Sequence, residues 1–361
     1  VAARLRRAIG DEARVAHLQL DEFGILLPAG DDARAKRAAD DIARALTAPV
    51  NLGEAQVEIQ ASIGASFYPG HGKEAELLVR RAAIAARDAA RKDLPYLAYR
   101  GATERENPAR LALVGELRRA IERQAMTLHF QSKHGLRADE VVGAEALLRW
   151  QHPQRGMVPP AEFVPVAEET GLIRPLTYMV IELAVRQIRA WLDGGTRLAV
   201  AVNLSARNLF DPALRDRIEG LLNTWGVPGK LLEFEITESA LIEDPEGARN
   251  ALRGLAELGG RLYIDDFGIG YSSLNYLVTL PVHALKIDRS FVARMTRNPQ
   301  ARLVVQSVVS MAHSLGLKVV AEGVETEDDA AILRELACDE AQGYLFGKPI
   351  PAQEFAERFG V

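Results

Sequence analysis

Two adjacent acids, Asp265-Asp266, follow the short apolar run Leu262-Tyr263-Ile264, and Phe267-Gly268-Ile269-Gly270-Tyr271-Ser272-Ser273 comes next. An apolar run ending in acids and then glycines reads as a buried strand emptying into a loop. Two like charges side by side repel unless something offsets them. A pair of hard cations does so, because neighbouring carboxylates can bridge and share metal ions. The pair therefore points to metal-assisted phosphoryl chemistry. Glu145 and Lys286 lie late in other apolar runs, Asn203 and Glu235 end two more, and Glu322 and Gln342 lie just past another two. Oxygen donors of this kind select Mg²⁺, Mn²⁺ or Ca²⁺ over zinc. His134, His152, His283 and His313 lack the spacing of a zinc site.

These residues need elements that bring them together. Strand patterns are read at Met126–Phe130, Val141–Leu147, Leu198–Leu204, Leu231–Ile236, Arg261–Ile264, Ala284–Ile287, Lys318–Ala321 and around Ala337–Cys338. Helical patterns lie between them at Pro160–Thr170, Leu176–Leu192, Pro212–Trp225, Glu246–Leu258 and Arg302–Leu315. Strands alternating with helices predict a parallel sheet with helical crossovers. The span has the ~250 residues usual for an eight-stranded α/β barrel, whose strand ends converge on one face. A doubly wound open sheet is the competing architecture, and periodicity does not separate the two.

Composition narrows the rest. The 361 residues are 48% hydrophobic and 26% charged, with a net charge of −5. That suits a globular protein with a sizeable core, and it offers no global field for nucleic acid. No apolar run approaches the ~20 residues of a membrane helix. The one cysteine, Cys338, fits a cytoplasmic location and reads as a small core residue. The chain begins at Val1, and we expect a longer parent protein with an upstream sensor, which a membrane anchor could accompany.

Residues 1–100 form an Ala- and Arg-rich first block, with helical patterns at Asp31–Leu46 and Glu74–Arg91 and a strand pattern over Val57–Gly64. Residues 101–110 read as a linker, and residues 111–361 as the second domain.

The second domain carries, in order, Glu145-Ala146-Leu147-Leu148-Arg149-Trp150, Asn203-Leu204-Ser205, Glu235-Ile236-Thr237-Glu238 and Asp265-Asp266-Phe267-Gly268. Lys286-Ile287-Asp288, Glu322-Gly323-Val324-Glu325 and Gln342-Gly343-Tyr344 complete the ordered set. With these motifs the domain resembles the EAL domain family of cyclic di-GMP phosphodiesterases. It implies a TIM-like (β/α)8 barrel that hydrolyses cyclic di-GMP to linear pGpG with two Mg²⁺ or Mn²⁺ ions. By the same resemblance Glu145, Asn203, Glu235 and Asp265 hold the first ion. Asp265 reaches the second together with Asp266 and Glu322. Lys286, Glu322 and Gln342 are the catalytic side chains, Gln131, Arg149 and Glu325 meet the substrate, and Glu238 anchors the loop Phe267–Ser273 at a dimer interface.

The first block contains Val15-Ala16-His17-Leu18-Gln19-Leu20-Asp21-Glu22-Phe23. Through this stretch it resembles the second half of a GGDEF domain, the cyclase partner of EAL domains, with Gln19 and Leu20 in place of both glycines of the motif. The turn that cradles GTP phosphates needs glycine for close backbone approach. The inhibitory Arg-x-x-Asp site would fall on Gly10–Ala13 and is not there. The block is thus expected to be a partial, inactive cyclase domain that regulates the barrel, through GTP or by setting a homodimer.

The barrel departs from the family at Gln131-Ser132 (usually Gln-Pro), at Ile269 (usually Thr or Ala) and at Gly347 (commonly Ser). None removes an expected metal ligand or the lysine. The leading expectation is an active phosphodiesterase. The alternative is a receptor that binds cyclic di-GMP and relays a signal without hydrolysis.

Overall fold

The computed structural model describes residues 2–10, 13–19, 22–28, 31–46, 50–52, 55–57, 61–91, 94–99, 108–268 and 277–360. The chain divides into two compact units, Val1–Leu111 and Ala112–Val361.

In the first unit, helices Ala2–Ile9 and Asp32–Leu46 close a small core around Leu5, Ile42 and Leu46. Arg14–Gln19 and Glu22–Leu26 form an antiparallel hairpin. Strands Ile63–Ala65 and Tyr96–Ala98 pair in parallel across the helix Ala75–Arg91. Gly64 permits that packing, since a Cβ there would lie 2.1 Å from Ala86 N and 2.2 Å from Ala82 O. The strand expected over residues 57–64 is two pieces, Ala55–Val57 and Ile63–Ala65, and residues 58–60 lie outside the described residues. So do residues 101–107 of the expected linker.

The second unit is a closed barrel of eight strands. They are β1 (Thr127–Gly135), β2 (Glu140–His152), β3 (Ala199–Leu204), β4 (Leu232–Thr237), β5 (Arg261–Phe267), β6 (Ala284–Ile287), β7 (Lys318–Ala321) and β8 (Glu340–Ala341). Strands β2 to β8 run parallel in sequence order, and β1 closes the barrel antiparallel to both β2 and β8. The uniformly parallel sheet expected from the alternation is corrected at this strand. Only Leu136 to Asp139 join β1 to β2, too few for the helical crossover that a parallel pair requires.

Helices Ile173–Asp193, Leu214–Trp225, Pro245–Glu257, Pro299–Ser314 and Glu327–Glu335 cover the barrel. The 21-residue Ile173–Asp193 turns Ile181, Ala184, Val185 and Ile188 inward, a helical spacing, and all four are buried. Its Trp191 meets Phe130 of β1 and Phe355 of the C-terminal helix Ala352–Phe359, with ring centroids 5.0 and 5.5 Å away.

Several strand ends differ from expectation: β1 runs on past Phe130 to Gly135 and β2 past Leu147 to His152. The eighth strand is Glu340–Ala341, not Ala337–Cys338, because Ala337 adopts φ 58° as the chain leaves the helix Glu327–Glu335. β5 continues through the acid pair to Phe267, which pairs with Ile287. The register shifts between Ile264 and Phe267, and Asp266 has φ 55°. Neighbouring side chains on a regular strand point to opposite faces. This irregularity re-aims one of them, so Asp265 and Asp266 reach the same side.

Candidate active site

Lys286 lies at the centre of the barrel mouth. It comes from β6 and is fully buried. Its Nζ is 2.7 Å from Glu235, 2.5 Å from Glu322, 3.4 Å from Asp265 and 3.9 Å from Glu145. Carboxylates from β2, β4, β5 and the end of β7 thus converge on one ammonium group, which places Glu145, Glu235 and Asp265 around a common point. Burial opposes the lysine's charge, but Glu145, Glu235, Glu322 and Asp265 hold its pKa well above the ordinary value.

Glu145 is fixed by two amides. Asn203 Nδ2 donates to its Oε1 at 2.7 Å, and Gln342 Nε2 donates to its Oε2 at 2.6 Å. Burial works against the Glu145 carboxylate, but Lys286, Gln342 and Asn203 outweigh it and hold its pKa low. Burial and then the charge of Glu145 push Glu235 well above the usual carboxylate value. Burial, opposed by Lys286 and helped by Asp265, pushes Glu322 up to about 7.

Asp265, Asp266 and Glu322 form a second group, with ligand atoms all within 4.8 Å of one another. Asp266 N donates to Asp265 Oδ1 at 2.9 Å. Burial and the charges of Asp265 and Asp288 raise the Asp266 pKa.

These residues fit hard cations. Five carboxylates (Glu145, Glu235, Asp265, Asp266 and Glu322) face one lysine. Glu235 Oε1 is buried and has no hydrogen-bond partner among the described residues. A buried acceptor left unpaired is costly, and a divalent ion is the species that oxygen donors of this density satisfy.

The remaining expected residues are placed as follows. Gln131 is buried beside Gln342 and donates to Gly347 O at 3.0 Å. Arg149 is half-buried, and its Nη1 donates to Leu148 O at 2.9 Å. Burial lowers the Arg149 pKa while Tyr344 and Glu145 raise it, so its guanidinium lies close enough to feel both. Glu325 is exposed and does not join the group around Lys286. Glu238 is buried, and its Oε2 accepts from Gly268 N at 3.1 Å. The rest of its expected loop, including Ile269, lies outside the described residues.

A layer beneath the mouth is absent from the sequence expectations. Lys133 forms a buried ion pair with Glu233, and Tyr263 Oη donates to Glu233 Oε1 at 3.0 Å. Lys133 Nζ also lies 4.5 Å from the Tyr263 ring centre. Gly143 makes room for the lysine, since a Cβ there would stand 3.0 Å from Lys133 Cε. The available signal was period two: Lys133 follows Gln131, and Glu233 precedes Glu235, by one strand repeat.

An α/β barrel with acids, amides and one lysine gathered at its strand ends defines a class of metal-dependent enzyme scaffold. Comparison with known proteins makes the assignment specific. The EAL domain family matches residues 114–349, and the diguanylate cyclase GGDEF domain family matches residues 1–93. The chain belongs to the EAL domain family, preceded by a GGDEF-like region.

The bifunctional diguanylate cyclase/cyclic di-GMP phosphodiesterase MucR of Pseudomonas aeruginosa is 37% identical over 358 residues, 98% of this chain and 52% of that protein. The cyclic di-GMP phosphodiesterase PdeR of Escherichia coli is 36% identical over 338 residues, 93% of this chain and 51% of that protein. The chain therefore spans about half the length of these curated relatives. A solved PaMucR phosphodiesterase in complex with c-di-GMP is 41% identical, with a TM-score of 0.66, covering 68% of this chain and 99% of that one. An EAL domain protein from Listeria monocytogenes is 29% identical with a TM-score of 0.61, covering 71% and 99%. Among the described residues no helix is long and apolar enough to cross a membrane.

Proposed function

We propose that the barrel hydrolyses cyclic di-GMP to linear pGpG. The observation that carries this reading is the convergence of Glu145, Glu235, Asp265 and Glu322 on Lys286. The names of the relatives support the substrate.

In this reading Glu145, Asn203, Glu235 and Asp265 hold one Mg²⁺ or Mn²⁺, and Asp265, Asp266 and Glu322 hold another. Such a pair of ions supplies a low-pKa water and a clamp on the phosphate oxygens. Water attacks phosphorus, the P–O3′ bond breaks, and the proton leaves with the 3′ oxygen. Lys286 offsets the charge that develops on the phosphate, from a site too dry for water to screen it. Glu322 bonds Lys286 on one side and faces the Asp265–Asp266 pair on the other, so it keeps the ammonium aimed. Gln342 holds Glu145. Arg149, with its planar fork, grips a substrate phosphate at the rim. Glu325 reaches the substrate from outside the buried group, and Glu238 steadies the backbone at Gly268.

The wider assignments belong to the same proposal. Residues 1–100 are an inactive cyclase block that responds to GTP or an upstream sensor. Residues 101–110 link it to the barrel, which pairs as a homodimer in the cytoplasm and binds no nucleic acid.

The test is incubation of the purified protein with cyclic di-GMP and Mg²⁺ or Mn²⁺, followed by chromatography. Production of pGpG supports the reading. Binding of metal and cyclic di-GMP without product rejects it in favour of the receptor.

A further inference from the structure

The barrel does not close as one continuous ladder. Glu340 and Ala341 pair with Gly135 and His134 of β1, whereas Ile350 and Pro351 pair with Phe130 and His129. Residues 342–349 leave β1 between these two pairings, while Gln342 stays bonded on the β7 side, its N donating to Ala321 O at 2.8 Å and its O accepting from Val324 N at 3.1 Å. Gln131 stands in β1 opposite this excursion. Its Nε2 donates to Gly347 O at 3.0 Å, and its Oε1 accepts from Gln342 Nε2 at 3.0 Å. Both ends of the amide are thus used within the chain, and the side chain is only 8% exposed. It bridges the excursion where the backbone ladder is interrupted.

That bridge has a directional consequence. An amide has distinct donor and acceptor ends, and only the nitrogen can face a carboxylate favourably. Gln342 Nε2 donates to both Gln131 Oε1 and Glu145 Oε2. Rotating the Gln342 amide would set its oxygen against both acceptors. Gln131 therefore reinforces the orientation that the Glu145 carboxylate itself demands of Gln342, and that orientation leaves Gln342 Oε1 as a buried acceptor without a partner among the described residues.

We propose that Gln131 is a positioning residue that staples the excursion and orients Gln342 on Glu145, in place of the substrate contact that the family resemblance gives it. The kinetic part of the test rests on the phosphodiesterase reading, and the binding part does not. Gln131→Met keeps the length of the side chain and removes both hydrogen bonds. With Ca²⁺ present, its cyclic di-GMP dissociation constant is expected within about threefold of wild type, while kcat with Mg²⁺ falls roughly 10- to 50-fold at unchanged KM. The double variant Gln131→Met/Gln342→Ala should be no slower than Gln342→Ala alone, within about twofold, because the two residues act as one unit. A tenfold or greater loss of cyclic di-GMP binding, or kinetic losses that multiply, overturns the inference. If wild type binds but does not hydrolyse, the function reading fails separately. The coupling is then read from Mn²⁺ affinity: equal weakening in both single variants and the double supports the inference, and an unchanged Gln131→Met overturns it. Gln131→Asn, shorter but still an amide, repeats each measurement if the methionine variant does not fold.

Discussion

Gln342 and Glu145 stand 197 positions apart in the chain and 2.6 Å apart in the barrel. Closure of the barrel produces this contact, because β8 and β2 are the strands that flank β1. The mouth therefore depends on the last strand as much as on the first. Acids supplied by separate strands crowd there at a cost that Lys286 only partly offsets. A buried ion group of this kind does not secure the fold by itself, since desolvation consumes much of its Coulomb attraction.

Lys286 is the group whose loss should be most specific. Lys286→Met keeps the stem and removes the charge from among its carboxylate neighbours. We expect kcat to fall about 10²- to 10³-fold, the range seen when a transition-state donor is removed. Steady-state assays with saturating Mn²⁺ check this, and a loss below tenfold would contradict the role given to the lysine.

Metal removal should be visible without turnover. A ligand at about 100 times its dissociation constant stabilises the folded state by about 2.7 kcal/mol. For a unit of this size that corresponds to a rise in Tm of roughly 5–10 °C. Mn²⁺ added to chelator-treated protein should produce this rise, and Asp265→Asn should abolish most of it. Differential scanning fluorimetry makes the comparison directly.

The ion-free protein should lose stability as pH rises through neutrality. Glu322 is pushed up to about 7, mainly by burial, whereas the unfolded chain keeps an ordinary carboxyl near 4.5. Between those values the folded state binds more protons than the unfolded state, so stability declines with increasing pH. The raised Glu235 acts in the same direction. Tm in chelator should fall from about pH 5 to about pH 7.5, and Glu322→Gln should flatten that slope.

Much of this site was legible in the chain because polar residues at the ends of apolar runs are conspicuous. Glu145, Asn203, Glu235 and Lys286 stood out for that reason, and the barrel brings them together. Three features were not legible, each for a physical reason. Period-two alternation is the same in either strand direction, so the reversal of β1 could be read only from the short link Leu136 to Asp139. The Asp265–Asp266 pair reads as the end of a strand, and nothing in residue type announces the strand irregularity that turns both acids the same way. Lys133 and Glu233 lie mid-strand, where a charge reads as solvent-facing unless its partner, 100 residues away, is known.

Arg149 offers the sharpest separation of binding from chemistry. It is half-buried and forms no ion pair with the carboxylates around Lys286 among the described residues. Its electrostatic neighbours are Tyr344 and Glu145. Losing a contact made equally in the ground state and the transition state raises KM and leaves kcat alone. Arg149→Ala should therefore raise KM about 10- to 50-fold while kcat stays within about threefold. Arg149→Lys keeps the charge but not the planar fork, so it should recover only a small part of the loss. Full rescue by lysine would mean that charge alone is recognised, and a fall in kcat at constant KM would move Arg149 into the chemical step.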